Sequence, residues 1–350
     1  MLIEIETVLK AALSRGTTTS PQMAAAIGVI MDGQADPIEI AALLTALAVR
    51  GETALEIAGA AAAMRARATR IPALTSGLLD TCGTGGDQLH TFNISTAAAI
   101  VAAAAGVPVA KHGNRQASSK SGSADVLEAL GVDISLAPEA VAQCIDEIGI
   151  GFCFARLVHR AMQHVAPVRQ KLGIRTIFNL LGPLTNPAGA EYQLLGTNRV
   201  ATARKLAEAK TQLGGTRTLV VCGADQLDEV SLWGTTTVFD VQGDRIEEQH
   251  WTARDMGLPE CTAAELVVGS PAESAEVIRQ VFAGKPGAAR NIVLANAGAA
   301  LLTAGRALEL RDAVQQAARA IDSGAAERML ASLVEFSMGE RSASKTARRG

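Results

Sequence analysis

Aromatic residues are scarce: Phe, Tyr and Trp together make up 3% of the 350 residues, so any core must be filled by Ala, Leu, Ile and Val. Cysteine is sparse too. The five thiols, Cys82, Cys144, Cys153, Cys222 and Cys261, are odd in number, widely spaced and free of any CxxC pair, which points to buried free thiols in a reducing cytosol rather than zinc or redox chemistry. His159 and His164 stand five apart, but no third His or Cys has the spacing to complete a zinc site. An excess of positive charge is also missing. The net charge of −3 argues against a broad nucleic-acid footprint, which needs clustered Lys and Arg; the basic final stretch is the exception. No stretch reaches the roughly 20 apolar residues of a membrane span. "MLIEIETVLKAALSRG" reads as a short amphipathic helix rather than a signal peptide. A cytoplasmic protein with no membrane or nucleic-acid partner is expected.

The length suits two compact lobes. Residues 1 to 72 carry only helical signals. Ser20-Pro21 and Asp36-Pro37 each pair an N-cap side chain with a proline at the helix start, and Thr53 with Glu56 forms a capping box. From residue 73 to 337 the pattern changes to strand, loop and helix in succession, as in a parallel α/β architecture. "GLLDTCG", "VPVAKHG", "GFCFA" and "TLVVCG" read as strands, "ISTAAAIVAAAAG" and "RVATARKLAEAKTQLGG" as helices, the latter with Asn198 as its cap. The segment from about 167 to 190 contains Pro-rich turns and two arginines, Arg169 and Arg175, six apart; it reads as a crossover near a site, returning to the helical lobe. Residues 338 to 350 read as a flexible basic tail.

Three loops carry chemistry. Gly83-Thr84-Gly85-Gly86-Asp87 follows a strand and precedes a helix, where converging N–H groups can meet a phosphate. It has neither the Gly-Lys-Ser/Thr ending of a Walker loop nor GxGxxG spacing, and by itself reads equally as a tight turn or a phosphate cradle. Asn93, Ser95 and Thr96 add groups able to bind an anion or hydrated magnesium, the plainer reading being that Ser95 or Thr96 caps the helix. "KHGNRQASSKSGSAD", Lys111 to Asp125, mixes three cations with four serines and reads as a second phosphate loop, with His112 as the histidine placed to touch a ligand. Asp228-Glu229 follows a strand-ending glycine; such acidic pairs hold magnesium in some sites and are plain surface loops in more.

Taken in order, "GTGGD", "TFNIST", "KHGNR", "SSKSGSADVLEALG", "VRQKLGIRTIFNLLGPLTNP" and "LDEVSL" resemble the signatures of the anthranilate phosphoribosyltransferase family over about residues 10 to 335. The resemblance implies a small all-helical N-terminal lobe plus a larger α/β lobe with a central, mostly parallel sheet flanked by helices. It also implies a homodimer through the helical lobe, and a reaction in which the anthranilate amine displaces pyrophosphate from phosphoribosyl pyrophosphate with Mg2+, as two ions, as cofactor. By motif, Gly83, Gly86, Asp87, Thr91, Asn93, Ile94, Ser95 and Thr96 would hold phosphoribosyl pyrophosphate. Lys111, His112, Gly113, Asn114, Arg115, Gln116, Ala117, Ser118, Ser119 and Ser123 would continue that site. Gly83, Asn114 and Arg169 would hold anthranilate, and Ser95, Asp228 and Glu229 the Mg2+ ions. An aromatic amine is already neutral near pH 7, so no general base is assigned.

The chain departs from the family pattern at Gln88-Leu89-His90, where a small Gly-Ser type turn is more usual, and at Gln116-Ala117. A pyrimidine nucleoside phosphorylase shares the implied architecture, but "GTGGD", the acidic pair and the Arg169 segment favour a pyrophosphate substrate. Related proteins that bind nucleic acid through basic surfaces are disfavoured by the net charge.

Overall fold

The computed structural model describes residues 1–115 and 122–347, with side chains to residue 340. The helical lobe starts with α1 (Ile3–Leu13), α2 (Ser20–Met31), α3 (Pro37–Arg50) and α4 (Ala54–Ala66). Capping boxes open three of them, at Thr19 with Gln22, Asp36 with Glu39, and Thr53 with Glu56. The cap of α2 is therefore Thr19 and not Ser20: Thr19 has Gln22 three residues on to answer its own N–H, whereas Ser20 would face Met23.

Glu56 does more than close a box. Its carboxylate is fully buried, accepts the N–H groups of Thr53 (2.9 Å) and Thr18 (3.0 Å) and the Thr18 hydroxyl, and pairs with Arg50, whose side chain is also buried. Burial alone would raise its pKa, but these donors outweigh burial and hold it below the ordinary glutamate value. One side chain thus ties the end of α3, the start of α4 and the turn before α2.

Seven strands form one sheet: β1 (Leu79–Gly83), β2 (Val109–Gly113), β3 (Ile150–Phe154), β4 (Tyr192–Gly196), β5 (Arg217–Cys222), β6 (Thr236–Gln242) and β7 (Arg245–Trp251), in the order β3-β2-β1-β4-β5-β6-β7. The first five pair in parallel, while β6 and β7 add an antiparallel hairpin that the sequence pattern does not announce. Its turn is set by Gly243, at φ +58°. Parallel strands need both faces covered. One face, with Leu79, Val109, Leu194 and Leu219, packs under α5 (Ile94–Ala104) and the helix Ala288–Thr303. The opposite face, through Leu195, Val220 and Phe239, shares a single core with the helical lobe. The alternation of Leu194 and Leu195 across the sheet is what places one core on each side.

The crossover joins that second core: Val165, Val168, Ile177, Phe178, Leu181 and Leu184 are all buried against α1 to α4. The last helix, Ala325–Ala347, runs past residue 338 into the segment expected as a flexible basic tail. No described helix is long and apolar enough to cross a membrane.

Removing the Glu56 carboxylate leaves Arg50 buried and unpaired, a change that typically costs about 3–5 kcal/mol. Glu56→Ala should lose stability on that scale in denaturant unfolding. A carboxylate with a lowered folded pKa stabilises above its unfolded value and not below, so the gap between wild type and variant should narrow as pH falls through the carboxylate range. An unchanged midpoint at pH 7 would sink the assignment.

Candidate active site

The parallel strands deliver glycines to one edge: Gly83 ends β1, Gly113 ends β2, Gly196 ends β4, and Gly223 follows β5. Gly83 and Gly196 are paired in register. Each permits a close approach that a side chain would block. A Cβ on Gly196 would collide with the Asp228 carbonyl oxygen, one on Gly223 would lie 2.6 Å from that of Glu229, and one on Gly83 2.8 Å from Asp228 Oδ2. The acidic loop can therefore sit down onto the strand ends. Its backbone is strained: Asp225 and Gln226 both hold left-handed φ, at +54° and +63°.

Gly83, Gly86, Asp87, Thr91, Asn93, Ile94 and Ser95 line a cleft of about 330 Å³ over this edge, facing Asp228 and Glu229. Lys111, His112, Gly113, Asn114, Arg115 and Ser123 line the same cleft from the second loop. Gln116, Ala117, Ser118 and Ser119 lie outside the described residues.

Two expected residues do not reach it. Thr96 is fully buried, its N–H and hydroxyl both turned to Asn93 Oδ1, which is the actual cap of α5. Because Asn93 takes the capping role, the Ser95 hydroxyl stays at the cleft, 3.3 Å from Lys111 Nζ. Arg169 is the second. Its guanidinium lies over the Phe178 ring, 5.6 Å from the centroid, while the cleft is lined instead by Arg175 from the same crossover.

Sequence reasoning misses two further residues. Arg175 Nη1 lies 3.4 Å from the Gly85 carbonyl, so close that a Cβ on Gly86 would collide with it. The six-residue pair of arginines is a signal, but it does not say which of the two faces the cleft. Asn198 is not the cap of its helix; its amide donates to the Gly86 carbonyl at 2.7 Å and holds the glycine loop. No local pattern signals that contact.

The loop from Gln88 to His90 is held by backbone. Gln88 and His90 take left-handed φ of +61° and +57°. The His90 carbonyl accepts Val268 N–H (3.0 Å), Thr91 bridges to Val267, and Leu89 N–H reaches Asp87 Oδ1 (3.3 Å). The bulky tripeptide thus extends a short zipper to a neighbouring loop, at the cost of two conformations that glycine adopts freely.

Below the cleft, Lys111 is buried and donates to the Thr81 carbonyl (2.6 Å). His112 Nδ1 lies 3.0 Å from the Gly182 carbonyl, so that nitrogen carries the proton, and its Nε2 faces His159 Nε2 at 3.2 Å. Burial pushes His112 down to about 4 and His159 down to about 3, so the pair is neutral at pH 7 and serves as a hydrogen-bonded floor.

The electrostatics centre on Asp87, Asp228 and Glu229. Asp228 Oδ2 accepts Gly85 N–H at 2.8 Å, and the Asp228 carboxyl shares a hydrogen bond with Asp87. Burial, then the neighbouring Asp87 charge, pushes Asp228 up to about 7; burial and Asp228 push Glu229 up to about 8, against the partial relief of Lys111. Carboxylates that hold protons at neutral pH are donors that a hard divalent cation would relieve, and Asp228 and Glu229, with the Ser95 hydroxyl at the same cleft, are oxygen donors that could hold Mg2+.

These carboxylates must lose protons to take the cation. Mg2+ titrated at pH 7 should release protons, visible as a buffer-dependent heat, and its affinity should rise from about pH 6.5 to about 8.5 and level off above. A pH-independent affinity across that range would contradict the raised values.

Two domain patterns match the chain: the glycosyl transferase family helical bundle domain over residues 6–68 and the glycosyl transferase family a/b domain over residues 75–327. An anthranilate phosphoribosyltransferase of Shouchella clausii is 52% identical over 89% of this chain and 91% of its own length. That of Herpetosiphon aurantiacus is 47% identical over 96% of this chain and 100% of its own. Among solved structures, anthranilate phosphoribosyltransferase from Thermus thermophilus superposes with a TM-score of 0.89 at 43% identity, covering 94% of this chain and 98% of that one. The enzyme from Saccharomyces cerevisiae, solved in complex with PRPP and Mg, gives 0.88 at 28% identity, covering 96% and 98%. This chain belongs to the anthranilate phosphoribosyltransferase family.

Proposed function

We infer that this chain transfers the phosphoribosyl group of phosphoribosyl pyrophosphate to the amine of anthranilate, giving N-(5-phosphoribosyl)anthranilate and pyrophosphate in tryptophan biosynthesis. The observation that carries the reading is the cleft in which the glycine loop, the Lys111–Arg115 loop and three carboxylates face one another.

Phosphoribosyl pyrophosphate occupies that cleft. Gly83, Gly86, Thr91, Asn93 and Ser95 take its anionic end, with Asp87 and Ile94 contributing through backbone N–H groups, since the Asp87 carboxylate would repel an anion and the Ile94 side chain is buried. Lys111, His112, Gly113, Asn114, Arg115 and Ser123 form the opposite wall. Arg115 is already fixed by Asp125 (2.9 Å) and Glu128, so it shapes the wall more than it reaches out. Mg2+, as two ions held by Asp228, Glu229 and Ser95, neutralises charge on the departing pyrophosphate. The C–N bond forms at the anomeric carbon as the C–O bond to pyrophosphate breaks, with inversion. The amine proton becomes acidic as that bond forms and passes to water or to the leaving group, so positioning carries the catalysis.

Anthranilate lies between Gly83, Asn114 and the crossover. Arg169 pairs with its carboxylate after swinging off Phe178, a fork matched to a planar acid, and Arg175 meets the phosphates beside Gly86. Five unpaired thiols suit a cytoplasmic setting.

The helical lobe carries an apolar groove of about 1090 Å³ between α1 and α3, with Leu13, Ile38 and Val49 exposed at 70%, 79% and 84%. A second copy of the chain covers it in a homodimer.

Loss of anthranilate fluorescence in the presence of phosphoribosyl pyrophosphate and Mg2+ tests the activity; no magnesium-dependent consumption would overturn it. Arg169→Ala should raise KM for anthranilate, and Arg175→Ala that for phosphoribosyl pyrophosphate, each by about 10-fold or more, the scale of a lost charged hydrogen bond. The reverse pattern would exchange the two roles. Leu13→Glu with Val49→Glu should sediment as a monomer while wild type sediments as a dimer; identical sedimentation of the two proteins rejects the groove as the interface.

A further inference from the structure

A second cleft, of about 620 Å³, opens away from the carboxylate edge, where the end of α4, the crossover residues Pro183 to Glu191 and the end of the helix Val200–Leu213 meet near the start of β4. Three cations line it, Arg65, Arg70 and Lys210, against one carboxylate, Glu191. Glu191 is committed elsewhere: its Oε2 accepts the Leu78 N–H at 2.7 Å.

Lys210 is only 4% exposed, yet among the described residues its ammonium meets no carboxylate and donates no hydrogen bond. It ends at the cleft wall, where a Cβ on Gly215 would lie 3.5 Å from Nζ. Arg65 spends Nε on the Leu184 carbonyl (2.6 Å) and Nη1 on that of Leu213 (3.0 Å), leaving Nη2 over. Burial, and then the positive charge of Arg65, push Lys210 down to about 8, with the Asp80 carboxylate giving only partial relief. Lys210, buried except where it reaches the cleft, and half-buried Arg65 face the same cleft with no carboxylate within ion-pair distance of Lys210, an arrangement that an anion in the cleft would relieve. The plainer role for Lys210, neutralising the dipole at the end of its helix, would bring Nζ to the last carbonyls; Arg65 takes the Leu213 carbonyl instead.

We propose that this cleft is a second oxyanion site, which binds a phosphate group between Lys210, Arg65 and Arg70. The volume exceeds that of inorganic phosphate, and Ile71, Pro72, Pro187 and Ala188 give apolar wall for the organic part of a phosphomonoester. The occupant would bridge Arg65 of the helical lobe to Lys210 of the α/β lobe, at a place the reaction does not use.

The test is calorimetric titration of the full chain beside Lys210→Met, so that any anion binding at the active site, common to both proteins, is subtracted. Inorganic phosphate in one arm and glycerol 3-phosphate in the other distinguish a free anion from a phosphomonoester by which binds more tightly. Wild type should bind one further equivalent, and Lys210→Met, which keeps the stem and loses the charge, should bind about tenfold more weakly or worse. Arg70→Glu changes an exposed side chain and keeps the test open should Lys210→Met fail to fold; it should weaken binding likewise. Absence of binding in both arms, or equal affinity in wild type and the folded variants, overturns the proposal.

Discussion

Asp87, Asp228 and Glu229 repel one another in a half-buried cleft, and the surrounding architecture is arranged to hold them there. Burial first, and then that repulsion, push Asp228 up to about 7 and Glu229 up to about 8. Three glycines let the acidic loop settle on the strand ends, the Gly85 N–H pins one carboxylate, and Lys111 beneath offsets part of the charge. A hard divalent cation would complete what the protein leaves unbalanced, which is why the proposed function places magnesium and pyrophosphate in this cleft.

The helical lobe serves that arrangement from behind. Its core is continuous with one face of the sheet, and the crossover runs from it to the cleft. The same crossover supplies the Gly182 carbonyl that orients His112, the Arg175 side chain beside Gly86, and Asn186, whose amide donates to the Ala110 carbonyl at 2.8 Å. Movement between the lobes would therefore be felt directly by both loops that line the cleft.

Legibility in the sequence follows distance along the chain. Capping at Asp36 and Thr53 is readable because the interacting groups are three residues apart, and the cap of α2 shifts by one residue, to Thr19, only because Ser20-Pro21 offers a competing local signal. The glycine loop and the Lys111–Arg115 loop are readable as motifs. Asn198 misleads because its partner, Gly86, is 112 residues away and a helix start lies next to it. Thr96 belongs to the motif of the site, yet Asn93 claims it for a cap. The hairpin of β6 and β7 escapes because polar β7, with most of its residues exposed, lacks a buried strand's apolar run.

By itself the sequence determined the helical and α/β lobes, four of the five parallel strands, the glycine and cation loops, and the family, since these rest on short-range periodicity and contiguous motifs; the strand order, and β4 between β1 and β5, came from the structure. Tertiary structure decided which groups meet. Parallel crossovers bring Gly83 and Gly196 into register, seat Asp228 against them, and turn Arg175 rather than Arg169 to the glycine loop. The physical reason is that charge repulsion, close backbone approach and burial act through space, and the chain records them only once it has folded.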